Sequence, residues 1–431
     1  MTDTHAPPSS SWLDRPAALP ALVAIGLALR VVAAIVVEQA ARGRGRLCLF
    51  DDTDVYWQLA GALRTGRPYL VMQWDVPHYA LRTPGYPLFL AACQWAFGAG
   101  NTLAARLVQA ALGAAGVAMV DRLVARALPG WPGAGRRAAL LAAVEPYTVG
   151  TSALLLSEAV FVPLLLLMLW GLAALWPADG ATTPRRPLLI ALATGLAGGA
   201  GVLVKPSWAP GAAMVVMAWP LLAMRGPGAV RAWGLAAMVA VGGAAIMAPW
   251  WLRNAAIYGR FVPTALWAGA SLYDGLHPGA TGASDMRFLD DPAIRSLAEP
   301  RQDAVLLARA VGFVRDRPAE ALRLAAVKAG RFWSPWPNAD ALRSPVAAIG
   351  SAAVTLPLFA LLIRGAWRLR RDARALVLLA GPLLGFAALH MAFVGSLRYR
   401  IAPSVPALGL AAAGWPGALS RLRDPHGPPR S

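Results

Sequence analysis

Long apolar runs limit this chain more than any other feature. Residues 17–37, 104–124, 157–176, 188–204, 208–224, 233–252, 346–363, 375–395 and 401–419 form such runs, each close to the roughly 20 residues a helix needs to cross a bilayer. Two shorter segments, 85–98 and 138–151, are flanked by proline and span only in part. Lipid contact replaces polar surface: only 14% of residues are charged, against roughly 25% in a soluble protein. The expected fold is therefore an all-α polytopic membrane protein with about 10 to 11 transmembrane helices and two extracytoplasmic loop regions.

The chain divides accordingly. Residues 1–16 form a cytoplasmic tail, and 17–252 an N-terminal transmembrane module that includes an outer loop at 38–84. Residues 253–345 form a second outer loop, 346–419 the C-terminal transmembrane helices, and 420–431 a cytoplasmic tail. The first run lacks a small-residue cleavage site, so it reads as a retained signal anchor. Orientation follows from the short loop bearing Arg364, Arg368, Arg370, Arg371 and Arg374, which belongs on the cytoplasmic side. Within the second outer loop, 301–315 and 318–332 carry helical stripes, Leu306, Leu307, Val311, Val314 and Leu322, Ala326, Gly330. These fit amphipathic helices that lie on the membrane or cap a cavity.

The net charge of +18 on a membrane chain points to anionic headgroups rather than nucleic acid. Only Lys205 and Lys328 are lysines; the arginine excess suggests a GC-rich genome. Cys48 and Cys93 are too few for a disulfide framework. The five histidines have no ligand spacing, so no protein-built metal site is expected.

Candidate chemistry begins at Phe50-Asp51-Asp52-Thr53-Asp54-Val55-Tyr56-Trp57. Helix capping explains one aspartate at a helix start, but three acids in four positions exceed what capping needs. Crowded carboxylates repel, which leaves one able to accept a proton; they could also hold a hydrated divalent cation weakly. Arg82, at the membrane interface, suits either bidentate phosphate binding or snorkelling. Glu158 and Lys205 lie at the edges of apolar runs, where an unpaired charge costs about 2.5–3.5 kcal/mol. They, Arg253, Arg398 and Arg400 are either ligands for an anionic substrate or helix-end anchors. Arg30, inside the first run, is expected to pair with an acid.

The order of these motifs resembles the bacterial GT-C membrane glycosyltransferases, the group of the protein O-mannosyltransferases and lipid A aminoarabinose transferases. The resemblance is carried by the acidic run with Tyr56, by Arg82-Thr83-Pro84-Gly85-Tyr86-Pro87, and by Leu156-Ser157-Glu158. It continues through Leu203-Val204-Lys205-Pro206, Pro249-Trp250-Trp251-Leu252-Arg253-Asn254 and Arg398-Tyr399-Arg400-Ile401-Ala402-Pro403. It implies transfer of a monosaccharide from a polyprenyl-phosphate carrier to a glycolipid, envelope polysaccharide or protein, outside a bacterial cytoplasmic membrane. Asp52 best matches the base of that family, with Asp51 and Asp54 as alternatives. Tyr56, Arg82, Tyr86, Glu158, Lys205, Arg253, Arg398 and Arg400 are the expected substrate-binding residues. Thr53 departs from the adjacent Asp-Glu pair common in the family. Two other classes fit the same charges: a transporter or flippase of lipid-linked sugar, and a non-catalytic envelope-assembly protein.

Overall fold

A computed structural model describes residues 12–45, 51–175, 185–223, 229–338 and 344–418. Helix α1 (Ala18–Gly43) leads to α2 (Asp51–Arg64) and a hairpin of β1 (Val71–Gln73) and β2 (Val76–His78). Then come α3 (Gly85–Phe97), α4 (Thr102–Ala127), α5 (Ala134–Val144), α6 (Pro146–Ala153), α7 (Glu158–Leu175), α8 (Arg185–Val204), α9 (Ala209–Ala223) and α10 (Ala229–Tyr258). A lobe of α11 (Ala268–Gly275), α12 (Pro292–Arg295), α13 (Glu299–Asp316) and α14 (Pro318–Phe332) precedes α15 (Pro345–Arg368), α16 (Ala373–Leu379), α17 (Gly381–Ala392) and α18 (Leu397–Gly414).

The architecture is all-α and polytopic. Among the described residues, α1, α4, α7, α8, α10 and α15 are long and apolar enough to cross a membrane singly. The pair α16 and α17, bent by 58°, makes a seventh span if taken as one. The expected crossings at 85–98, 138–151 and 208–224 become shorter helices. The 138–151 segment breaks at Glu145-Pro146, where the Glu145 carboxylate caps α6 by accepting from the Tyr147 and Thr148 N–H groups at 3.1 and 2.7 Å. α18 opens with Arg398 and Arg400, which dilute its apolar character, and its later turns lie buried in the bundle. Cys48 and the two chain ends, 1–11 and 419–431, lie outside the described residues.

Small residues let the helices approach. On α8, a Cβ at Gly195 would overlap the Val239 carbonyl of α10, and one at Gly199 would overlap Ile246. Helices in lipid gain association energy from such close contact. Buried polar groups inside the bundle are matched. Arg30 donates to the carbonyls of Gly26, Ala142 and Ala143 and to Ser152, at 2.8–3.3 Å. Carbonyls at the end of α5 thus replace the acid expected for it. Glu38 instead meets Arg106, at 3.0 Å.

The 259–338 lobe has small cores of its own. Leu276, Phe313 and Leu324 pack in one, and Leu289, Ile294 and Leu306 in another. Both expected helices form, but their buried faces differ from the stripes read in sequence. α13 buries Leu306, Ala310 and Phe313, whereas Leu307, Val311 and Val314 stay exposed. α14 buries Ala321, Leu324, Lys328 and Phe332, while Leu322 is exposed. The lobe folds on itself and on α17, and this sets the helix phase.

Lys328 ties that lobe to the bundle. Its ammonium donates to the carbonyls of Gly275 and Ala392 at 3.1 and 2.6 Å. Burial lowers its pKa from 10.5 to about 8. The unfolded chain therefore holds this proton more tightly than the folded one, so stability rises with pH between about 8 and about 10.5. Thermal unfolding in detergent across that window should show a wild-type rise that Lys328→Met removes. Parallel curves for the two proteins would refute the assignment.

Candidate active site

Asp52 and Tyr56 stand one turn apart on α2 and so share a face. Thr53 points inward, and its hydroxyl donates to the Leu155 carbonyl at 2.9 Å. That bond pins α2 against the segment entering α7, and it gives the non-acidic residue after Asp52 a structural task.

Arg82 rides on a loop whose backbone is held from both sides. Glu299 accepts from the N–H groups of Tyr79 and Ala80 at 2.7 and 3.1 Å and from the Tyr258 hydroxyl. Arg253 donates to the carbonyls of Tyr79 and Tyr69 at 2.8 and 2.7 Å, and the Tyr69 hydroxyl donates to the Arg82 carbonyl at 3.0 Å. Gly85 then passes so close to α8 that a Cβ would lie 2.6 Å from the Leu203 carbonyl carbon. This contact brings the Arg82 loop beside Lys205. On α18, Ser396 caps the helix by accepting from the Arg398 N–H at 3.3 Å, which fixes Arg398 in the first turn.

These elements bring five charges into one chain of ion pairs. The Asp52 carboxylate meets Arg82 Nη2 at 2.9 Å and Arg398 Nη1 at 3.3 Å. Glu158 Oε1 meets Arg398 Nε and Lys205 Nζ, each at 3.1 Å. Three cations face two carboxylates, so the cluster carries one excess positive charge. Its members differ in exposure: the Glu158 side chain is 1% exposed and that of Asp52 42%. Aromatic faces flank the cations. Arg82 lies 5.8 Å from the Tyr56 ring and 5.5 Å from Trp267, and Lys205 lies 5.8 Å from Tyr399. Burial pushes the Tyr56 phenol up, so it stays protonated.

The cluster borders a cavity of about 600 Å³, within the range of small-ligand sites. Asp52, Tyr56, Arg82, Lys205, Arg398 and Tyr399 line one part of it. The lobe contributes Trp267, Ser271, Asp274 and Ser284, while Pro210, Leu389 and Val394 add apolar wall. Asp274 accepts from the Ser284 hydroxyl and the Asp285 N–H, both at 2.7 Å, and burial pushes its carboxyl up. His390 stacks on Tyr399 with centroids 4.1 Å apart. Its Nδ1 donates to the Val394 carbonyl at 2.8 Å, since a carbonyl only accepts, and its Nε2 has no partner among the described residues.

The remaining sequence candidates lie elsewhere. Tyr86 is fully buried behind Tyr56, edge-on at 5.1 Å, and donates to Gln109 at 2.7 Å. Arg253 spends its donors on the loop carbonyls named above. Arg400 donates to the carbonyls of Phe332 and Ser334 at 2.9 and 3.0 Å, which ties α18 to the lobe. Asp54, two residues on from Asp52 and so on another face of α2, is exposed, and the side chain of Asp51 lies outside the described residues. Sequence reasoning missed Trp267, Asp274 and His390. A lone histidine in an apolar helix was the only local signal for the last.

The described carboxylates of the cluster are taken up by cations of the chain itself. Both Asp52 oxygens face guanidinium groups, and Glu158 is shared by two cations. Among the described residues no three His, Cys, Asp or Glu side chains gather to hold a metal.

Neither a family model nor a curated protein sequence matches the chain. Solved structures do. The oligosaccharyltransferase AglB from Archaeoglobus fulgidus, in complex with an inhibitory peptide and a dolichol-phosphate, aligns over 94% of this chain with a TM-score of 0.55 and 14% identity. The same enzyme tethered to an acceptor peptide aligns over 93%, again at 0.55 and 14%. This chain spans about half the length of AglB, 50% and 49% in the two structures. ArnT from Cupriavidus metallidurans bound to undecaprenyl phosphate aligns over 92% of this chain and 77% of its own, at 16% identity and a TM-score of 0.44. The chain shares the membrane fold of AglB over nearly its whole length.

Proposed function

We propose that this protein is a membrane glycosyltransferase that moves a monosaccharide from a polyprenyl-phosphate carrier to an acceptor outside the bacterial cytoplasmic membrane. The observation that carries the reading is the Arg82–Asp52–Arg398–Glu158–Lys205 chain, one positive charge in excess, whose members other than the buried Glu158 line one cavity. A carboxylate among guanidinium groups supplies both halves of the chemistry. The acceptor oxygen attacks the anomeric carbon and gives its proton to Asp52. The bond between that carbon and the phosphate oxygen breaks, and its electron pair goes to the phosphate. Arg82, Arg398 and Lys205 bind the charge that develops there. A single displacement of this kind inverts the anomeric centre. A retaining route needs a second carboxylate as nucleophile, and Glu158 is engaged by two cations. The AglB fold, solved with dolichol-phosphate, supports a lipid-linked donor.

The test uses the full chain in proteoliposomes loaded with a panel of undecaprenyl-phosphate sugars, with envelope extract as acceptor. The expected result is chain-dependent release of free undecaprenyl phosphate and labelling of an acceptor. Movement of intact sugar-lipid across the bilayer without release would overturn the reading in favour of transport. Absence of both would leave an assembly role.

A further inference from the structure

Resting on that reading, we infer that the carrier phosphate and the Asp52 carboxylate compete for the same two guanidinium groups, so that Asp52 is released to act as base only once the donor phosphate is seated. In the present state Asp52 takes the place an anionic ligand would occupy. One of its oxygens meets Arg82 Nη2 and the other Arg398 Nη1. A carboxylate bridging two guanidinium forks imitates a phosphate bridging them, because both anions present paired oxygens to planar donors.

Three details favour exchange over joint occupancy. Arg82 Nε is buried and has no partner among the described residues. The flanking Tyr56 and Trp267 rings hold the guanidinium plane. The donor's phosphate diester sets its two free oxygens on a tetrahedral centre and can reach Nε and Nη2 together, where the carboxylate uses Nη2 alone. Second, Glu158 keeps the other two cations in place during the exchange. Arg398 can hand over Nη1 while its Nε stays on Glu158, and Lys205 has two further N–H donors beyond the one Glu158 takes. Third, the donor's phosphate is a diester with a single negative charge, so seating it cancels the positive excess and leaves three anions to share three cations. Of the anions then present, Asp52 alone combines freedom to move with exposure, at 42% against 1% for Glu158. It swings out of the cluster into the same cavity, where the acceptor must approach.

The consequence is opposite to that expected of a residue that simply binds substrate: deleting the carboxylate strengthens carrier binding while it removes the base. The experiment measures binding of undecaprenyl phosphate to the full-length protein in nanodiscs by native mass spectrometry, with a thermal melt of each variant without carrier. Two partly exposed ion pairs are worth a factor of about three to thirty in affinity. Asp52→Asn is therefore expected to bind about three- to thirtyfold tighter than wild type, and Asp52→Ala to show the same direction should Asn disturb the helix. The gain should vanish in an Arg82→Gln/Arg398→Gln background, in which binding itself falls at least tenfold. Equal or weaker binding by both carboxylate-free variants, with the arginine effect intact, overturns the competition and leaves the donor assignment standing. No binding by wild type or any variant overturns the lipid-linked donor, and the inference with it.

Discussion

Asp52→Asn is expected to lower the rate of sugar transfer about 10²–10⁴-fold, the range over which a positioned general base contributes. The acceptor hydroxyl must lose its proton as it bonds to the anomeric carbon, and an amide cannot take it. The fold should survive the change. Asp52 is 42% exposed, and ion pairs of such residues are worth about 0–1 kcal/mol each. Asn also keeps one oxygen for either arginine, and α2 remains pinned by Thr53 and Leu155. Single-turnover transfer measured beside a melting curve separates chemistry from folding. Asp54→Asn serves as the internal comparison, since that side chain is exposed and does not line the cavity; its rate should stay within about twofold of wild type, well inside the effect of removing a base. A folded Asp52→Asn protein with a near wild-type rate would take Asp52 out of the mechanism. A collapse with Asp54→Asn instead would move the base by two residues.

What the sequence could convey depended on the cost of each feature in lipid. Charge beside an apolar run is expensive, so Glu158, Lys205 and Arg398 stand out in the sequence itself. Their meeting in space was not, because ion pairs between residues 240 positions apart leave no local periodicity. The helical nature of the chain was equally plain. The finer division was harder: α5 and α6 part at Glu145-Pro146, where a carboxylate caps α6, and α16 and α17 bend by 58° at Gly381-Pro382, local breaks that a hydropathy window averages away. The small hairpin was missed because its turn, Trp74-Asp75 at φ 47° and 63°, lacks the glycine or asparagine that normally marks such turns. Asp274 and Trp267 could not be singled out at all. Each is an ordinary residue in a long polar loop until the lobe folds and turns it toward the cavity. Arg253 and Arg400 show the converse. Both have the sequence profile of anion ligands, yet carbonyl groups take up their donors.

Glu158→Ala should destabilise the protein by about 3–5 kcal/mol, the usual cost of removing one partner from a buried ion pair. Glu158 is 1% exposed and Lys205 9%, so the ammonium left behind recovers little hydration when the carboxylate is lost. Arg398 retains Asp52, whereas Lys205 retains only the face of Tyr399 at 5.8 Å, which makes Lys205 the source of most of the cost. Unfolding in mixed micelles measures it directly. The double variant Glu158→Leu/Lys205→Met should return to within about 1–2 kcal/mol of wild type, because apolar replacement of a whole buried pair is often close to neutral. That near-restored protein is the informative one. If the pair exists only to hold α7 and α8 together, the double variant transfers sugar normally; if Lys205 is retained because the carrier phosphate needs an ammonium there, stability returns while carrier affinity stays at least tenfold weaker, a loss of about 1.4 kcal/mol in binding alone.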